Sequence, residues 1–228
     1  YRVELLIGNQ IAASSHGSLR FDLSTSDISL KADSEASIPD LLKPFPIPGL
    51  KAARGKLKSS STFTRSGARQ ASSGKLELAG FTGGFGTYDF REFQTTVDYG
   101  VEIAGNDVQL QSVHATFGQN GQPGGSADFS GRYHLTNQAA QIAFKLEGID
   151  QTVLRPLLAS SLGENRLVSI ALNGAGSASF DPKEGSVMKA ELKVTNLVVE
   201  DPLKKLPRTP LSAEFQLDGL HRRQTVEL

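Results

Sequence analysis

IAFKLEGIDQTVLRPLLASSL, residues 142 to 162, carries an alternating apolar and polar pattern straight into a short apolar segment. Ile142, Phe144 and Leu146 recur at every second position, the period of a strand with one covered face. Leu154, Leu157 and Leu158 then fall at helical spacing and predict one short helix that packs these three leucines against the sheet. The same combination stands earlier as DISLKADSEASIPDLLKPF, residues 27 to 45. The offset is constant, since 144 − 28, 146 − 30, 157 − 41 and 158 − 42 all equal 116. It persists downstream: Leu76 and Leu192, Leu78 and Val194, Phe81 and Leu197, Tyr99 and Phe215, and Val101 and Leu217 are each 116 apart. It slips by a residue near Phe63 and Phe180, and Gly17 fits Gly131 at 114, beside expected loops where a repeat takes its insertions. Residues 1–141 therefore read as a first β module with the end of a preceding one. Residues 142–228 read as a second, truncated module in one continuous sheet, the whole being an internal piece of a longer protein.

Between these markers the pattern is strand after strand. Leu19, Phe21 and Leu23 face one way, as do Ile28 and Leu30, around a turn at Ser26-Asp27. Ser37 is placed to cap the first short helix, Pro39 suits its first turn, and Pro44, Pro46 and Pro48 stop it. ARGKLKSSSTFT, GKLELAGFT, FQTTVDYGVEI and DVQLQSVHATF follow as strands, broken by SGARQASSG, GGFGTYDF and a Gly105-Asn106-Asp107 turn. Short connections imply antiparallel neighbours. GQNGQPGGS, residues 118 to 126, predicts a long hairpin loop.

Lys plus Arg and Asp plus Glu number 24 each, so no net field favours nucleic acid or an anionic membrane surface. Cysteine is absent, which excludes a disulfide framework and thiolate chemistry. His16, His114, His134 and His221 share no metal-ligand spacing, and Asp98 and Glu102 fall on an outward strand face, solvated and not an acid/base pair. GGFGTYD and NGAGSAS fit no phosphate-binding glycine pattern and read as bulge or turn glycines, the latter in a hairpin. Lys204, Lys205 and Arg208 form a modest basic loop. No catalytic signature stands out, so the chain reads as a non-enzyme without cofactor. A carbohydrate role is weakened by the absence of Trp and by 7% aromatics.

One helix per 116 residues cannot cover so much half-apolar sheet. Either the sheet closes into a sandwich, as suits a structural or adhesive repeat acting by surface contacts, or it stays an open trough with an apolar inner face. Patterning alone favours the closed form, because large exposed apolar patches are unusual. The candidate inner-face residues are Leu76, Leu78 and Phe81; Val97, Tyr99, Val101 and Ile103; Val108 and Leu110; Ile142, Phe144 and Leu146; and Leu192, Val194 and Leu197.

A resemblance shifts that balance. Strands ending in TVLRPLLASSL, then LVSIALNGAGSASF and KAELKVTNLVVED, with IPDLLKPFPIPGLKAARGKLKSSSTFT and GKLELAGF in the first copy, resemble the AsmA-like superfamily of bacterial envelope proteins, of the TamB and YhdP types. The resemblance covers most of the chain and rests on periodicity, glycines and helix placement. It implies an all-β fold: a long, curved antiparallel sheet, taco-shaped in section, made of two tandem modules with one short helix each. It further implies a periplasmic location within an inner-membrane-anchored protein whose anchor lies outside this chain. The candidate inner-face residues would then carry phospholipid acyl chains between inner and outer membranes, with other envelope proteins met at the groove ends. Family members carry an N-terminal membrane helix, which is not seen in these residues. The modules of bridge-like lipid carriers have five strands and a crossing segment, whereas this chain shows about six strands between helices.

Overall fold

The computed structural model describes residues 1–86, 88–203, 209–222 and 225–227. Alternating sequence becomes strand almost throughout: β1 (Arg2–Ile7), β2 (Gln10–Phe21), β3 (Ile28–Ser37), β4 (Leu50–Ser66), β5 (Arg69–Phe85), β6 (Tyr88–Ala104), β7 (Asp107–Gln119), β8 (Gln122–His134), β9 (Ala140–Asp150), β10 (Arg166–Asp181), β11 (Gly185–Glu200), β12 (Leu211–Arg222) and β13 (Thr225–Glu227). Helix α1 (Ile38–Leu41) separates β3 from β4, and α2 (Gln151–Leu162) separates β9 from β10. The strands form one 13-stranded sheet whose spatial order is their chain order. Each neighbour pairs antiparallel, and β1 does not pair with β13, so the sheet is open.

The closed sandwich favoured by patterning is not formed. Buried hydrophobic residues among those described are Ala12, Phe81, Ala115, Ala127, Ile149, Leu167, Ile170 and Ala190, half of them alanines and scattered along the sheet. Accessible surface totals 14989 Å², against roughly 10,000 Å² for a compact monomer of this length. A second layer would bury much of that excess.

Strand lengths exceed the sequence expectation. GGFGTYDF is mainly strand, with β5 running to Phe85 and β6 resuming at Tyr88. The expected long loop at 118–126 shrinks to a turn at Asn120-Gly121, with β7 and β8 paired up to Gln119 and Gln122. Asn120 at φ 53° and Gly121 at φ 73° both take the left-handed conformation that a tight two-residue hairpin turn demands. NGAGSAS lies inside β10, within the hairpin that β10 forms with β11 and away from its turn.

Both helices sit at the same end of the sheet, where β3, β5, β7, β9 and β11 finish. Asp150 caps α2 by accepting a 2.7 Å bond from the Thr152 amide, and Gly163 at φ 59° ends it. The helix meets every strand from β6 to β10. Arg155 Nε donates to the Leu167 carbonyl at 3.1 Å, and the Ile170 amide donates to Gln151 Oε1 at 3.3 Å, which fixes the helix to β10. Ser37 occupies the N-cap of α1 without bonding a helix amide, and Pro39 stands in the first turn as expected. The expected packing of Leu157 against the sheet fails, since it is 45% exposed, whereas Leu154 and Leu158 are half-buried.

The repeat is visible in the backbone. Gly80 at φ 60° bulges β5 between Leu78 and Phe81, and Asn196, 116 residues on, bulges β11 at φ 54° between Val194 and Leu197. Asn tolerates the left-handed region better than other non-glycine residues, so the bulge survives the substitution. Further register shifts in β4 and β10 fall near the same end, and such bulges bend strands and raise local twist, curving the sheet.

Candidate functional site

In an antiparallel ladder, directly opposed residues point to the same side. Leu57 opposes Leu78, Leu76 opposes Val97, Tyr99 opposes Val113, Val113 opposes Phe129, Phe129 opposes Phe144, and Leu192 opposes Phe215. One apolar face therefore continues from strand to strand. Leu76, Leu78, Val97, Tyr99, Val101, Ile103, Val108, Leu110, Ile142, Phe144, Leu146, Leu192 and Val194 all stand on it. Leu197 rejoins it after the Asn196 bulge, opposite Leu211. Most are half-buried by their neighbours, and Ile142 is 44% exposed.

Phe81 differs from the rest of that set. It is on the same face, opposite Phe93, yet only 6% exposed. Its ring lies 5.8 Å from that of Phe90, which lies 5.3 Å from that of Phe93. Ile38 of α1 converges with it over Gly55, where a β-carbon would come within 3.1 Å of both side chains. Phe81 thus belongs to the core that holds α1 on the sheet and is withdrawn from the open surface. Ile149 opposes Leu172 on the apolar face, and Ile170 lies two residues from Leu172; both are buried beside α2. The helices accordingly cover this face at one end and leave the remainder open.

Glycines on the face make room for its large side chains. A β-carbon at Gly176 would stand 2.7 Å from the Phe144 ring, and one at Gly174 2.5 Å from a Leu192 methyl group. These β10 glycines are neither bulges nor turns, as the sequence suggested. They let a neighbouring side chain lie flat across the strand.

The apolar face is not uniform. On β2 to β4 it carries Ser15, Ser34, Ser59 and Ser61 with Gly17 and Ala32, and β5 adds Ser72 and Gly74. The Ser34 hydroxyl donates to Ser15 at 2.9 Å. Covering a hydroxyl that lacks a hydrogen-bond partner costs about 1–3 kcal/mol. KLKSSSTFT concealed this patch, because hydroxyls stand on both faces of the strand. The available signal was parity: Leu57, Ser59, Ser61 and Phe63 alternate on one side.

The opposite face is charged and solvated. Lys75 pairs with Glu77 at 3.0 Å, Lys193 with Glu214 at 2.7 Å and Lys56 with Glu35 at 3.2 Å. Hydrogen bonding to Glu77 and Glu214 raises the ammonium groups of Lys75 and Lys193 above their ordinary range, and Lys193 in turn lowers Glu214. Asp98 is exposed there, and Glu102 pairs with Arg69 at 2.8 Å. His114 Nδ1 lies 2.7 Å from Asp128, across β7 and β8. Shallow hollows open between long side chains of this face, as among Gln109, Arg132, Gln141 and Lys189. No group of three or more His, Asp or Glu suited to a metal ion occurs among the described residues. Lys204, Lys205 and Arg208 lie outside the described residues.

No helix among the described residues is long and apolar enough to cross a membrane. Compared with family models, curated proteins and solved structures, the chain matches none.

Proposed function

We propose that this chain is a lipid-handling β-groove segment of the AsmA-like kind, holding phospholipid acyl chains on its apolar face. One observation carries the reading: the face runs through ladder after ladder without a second protein layer, and the chain as a whole keeps 14989 Å² accessible. An acyl chain suits such a surface. Each buried methylene contributes about 0.8 kcal/mol, so a largely covered sixteen-carbon chain gains on the order of 10 kcal/mol. Neighbouring apolar contacts are nearly equivalent, so a chain can slide by exchanging one set for the next. The role is non-catalytic binding and passage, in a periplasmic segment that passes phospholipid between the inner and outer membranes and meets further envelope proteins at its ends.

The test is purification followed by mass spectrometry of extracted lipid. Phospholipid is expected in the wild-type protein and lost from Val101→Asp and Leu192→Asp, with the far-ultraviolet circular dichroism of both variants unchanged. Lipid-free wild type that remains lipid-free after incubation with phospholipid vesicles would overturn the reading.

A further inference from the structure

We infer that acyl chains occupy only the β6–β12 part of this face, and that the serine-lined part on β2–β5 stays hydrated and ends the lipid-bearing tract. The inference rests on the acyl-chain reading above and adds where along the sheet the chain can lie. From β6 to β12 the ladder positions on this face are Val, Tyr, Leu, Ala, Phe, Ile, Met and Gly, with Thr95 at the helix border and Ser186 and His221 at the far turns of β11 and β12. None is charged. This tract crosses six strand spacings, about 29 Å, roughly twice the length of an acyl chain in one leaflet.

The same ladder positions change character on crossing β5. Val97 and Leu76 face each other, but the next residues outward are Ser59, Ser34 and Ser15. One row over, Tyr99 is followed by Gly74, Ser61 and Ala32. Short side chains lower the surface there, so a straight acyl chain loses contact, and any chain that dips to follow it strips water from hydroxyls it cannot pair. Both effects act in the same direction. Leu57, Ala36 and Ala13 border the patch toward the helices and Phe63, Leu30 and Leu19 border it on the far side, each too narrow a strip to replace a full apolar width.

A rigid second copy is a poor occupant for the open tract. Helices α1 and α2 rise from this face at one end, and a flat sheet packed at the usual 10 Å would strike them. A thin, flexible chain lies between them and the far turns without obstruction.

The experiment loads the full chain with phosphatidylcholine bearing a diazirine at the end of one acyl chain, irradiates it, and maps adducts by peptide mass spectrometry. Adducts are expected on β6–β12, on residues such as Val101, Phe144 and Leu217, at least about tenfold above those on β2–β4. The variant Ser59→Leu with Ser61→Leu should extend them onto β3 and β4. Wild-type adducts spread evenly over both parts, or an unchanged map in the variant, would overturn the partition while leaving lipid binding intact. Adducts absent from the apolar face altogether would overturn the acyl-chain reading itself.

Discussion

Gly17 stands on the apolar face of β2 opposite Ala32, and a β-carbon there would lie 1.8 Å from the Lys31 carbonyl oxygen. That oxygen belongs to the ladder and cannot move without breaking it. Gly17→Ala should therefore destabilise by about 1–3 kcal/mol, read as a lowered midpoint in urea. Gly219 on β12 is the control. A β-carbon there meets nothing within 4 Å, so Gly219→Ala should be neutral or stabilising by up to about 1 kcal/mol. Asn196 adds a third case: at φ 54° it accepts glycine readily, whereas Asn196→Val should cost about 1–2 kcal/mol, because a β-branched residue in the left-handed region clashes with its own backbone. None of these differences could be read from residue type. The chain carries 23 glycines, and the partner strand's register decides which ones a side chain can replace.

At the scale of elements, the helices depend on few contacts. Asp150 joins β9 to α2 through its bond to the Thr152 amide, so Asp150→Ala should cost about 1 kcal/mol and loosen the helix first, seen as faster amide exchange over 151–162 than over β10. Helix α1 spans Ile38–Leu41 and leans on Phe81; Phe81→Ala should cost about 3–5 kcal/mol in the same urea titration. Its pH response has a definite sign. A hydrogen bond from Lys43, then one from Ser37, holds the Asp40 carboxyl below the usual carboxylate range. A lowered folded value means the contribution is complete at neutral pH and is lost as pH falls below the ordinary carboxylate value through the lowered one. Amide resonances of residues 38–42 should report that shifted titration, and Lys43→Met should return it toward the ordinary value. The placement of both helices was legible from apolar spacing, the caps and the prolines. Leu157 was misplaced because helical period names a face without saying how the helix rotates about its axis over the sheet.

For the molecule as a whole, a single layer buries less on unfolding than a sandwich of equal length. With 14989 Å² exposed in the folded state, the area lost on unfolding is roughly 20% below that of a compact monomer, and the denaturant m-value should be lower by a similar fraction. A normal m-value would mean that the face is covered in solution.

Alternation was enough to identify strands, their antiparallel order and the side that each of Leu76, Tyr99, Val101, Phe144 and Leu192 takes, because a period of two is a local property of the backbone. The 116-residue offset likewise locates the helices and pairs Leu78 with Val194 from sequence alone. Whether the apolar sides would face one another or face outward was not local. It depended on the sheet adding each strand beside the last, from β1 to β13, instead of turning back on itself, and on bulges such as Gly80 and Asn196 that set its bend. The tertiary structure alone decided that Phe81 is withdrawn beneath α1, that Ser15 and Ser34 join Ser59 and Ser61 in one patch, and that the face stays open. Those facts follow from register, which pairs residues far apart in the chain, and no window of sequence contains both partners.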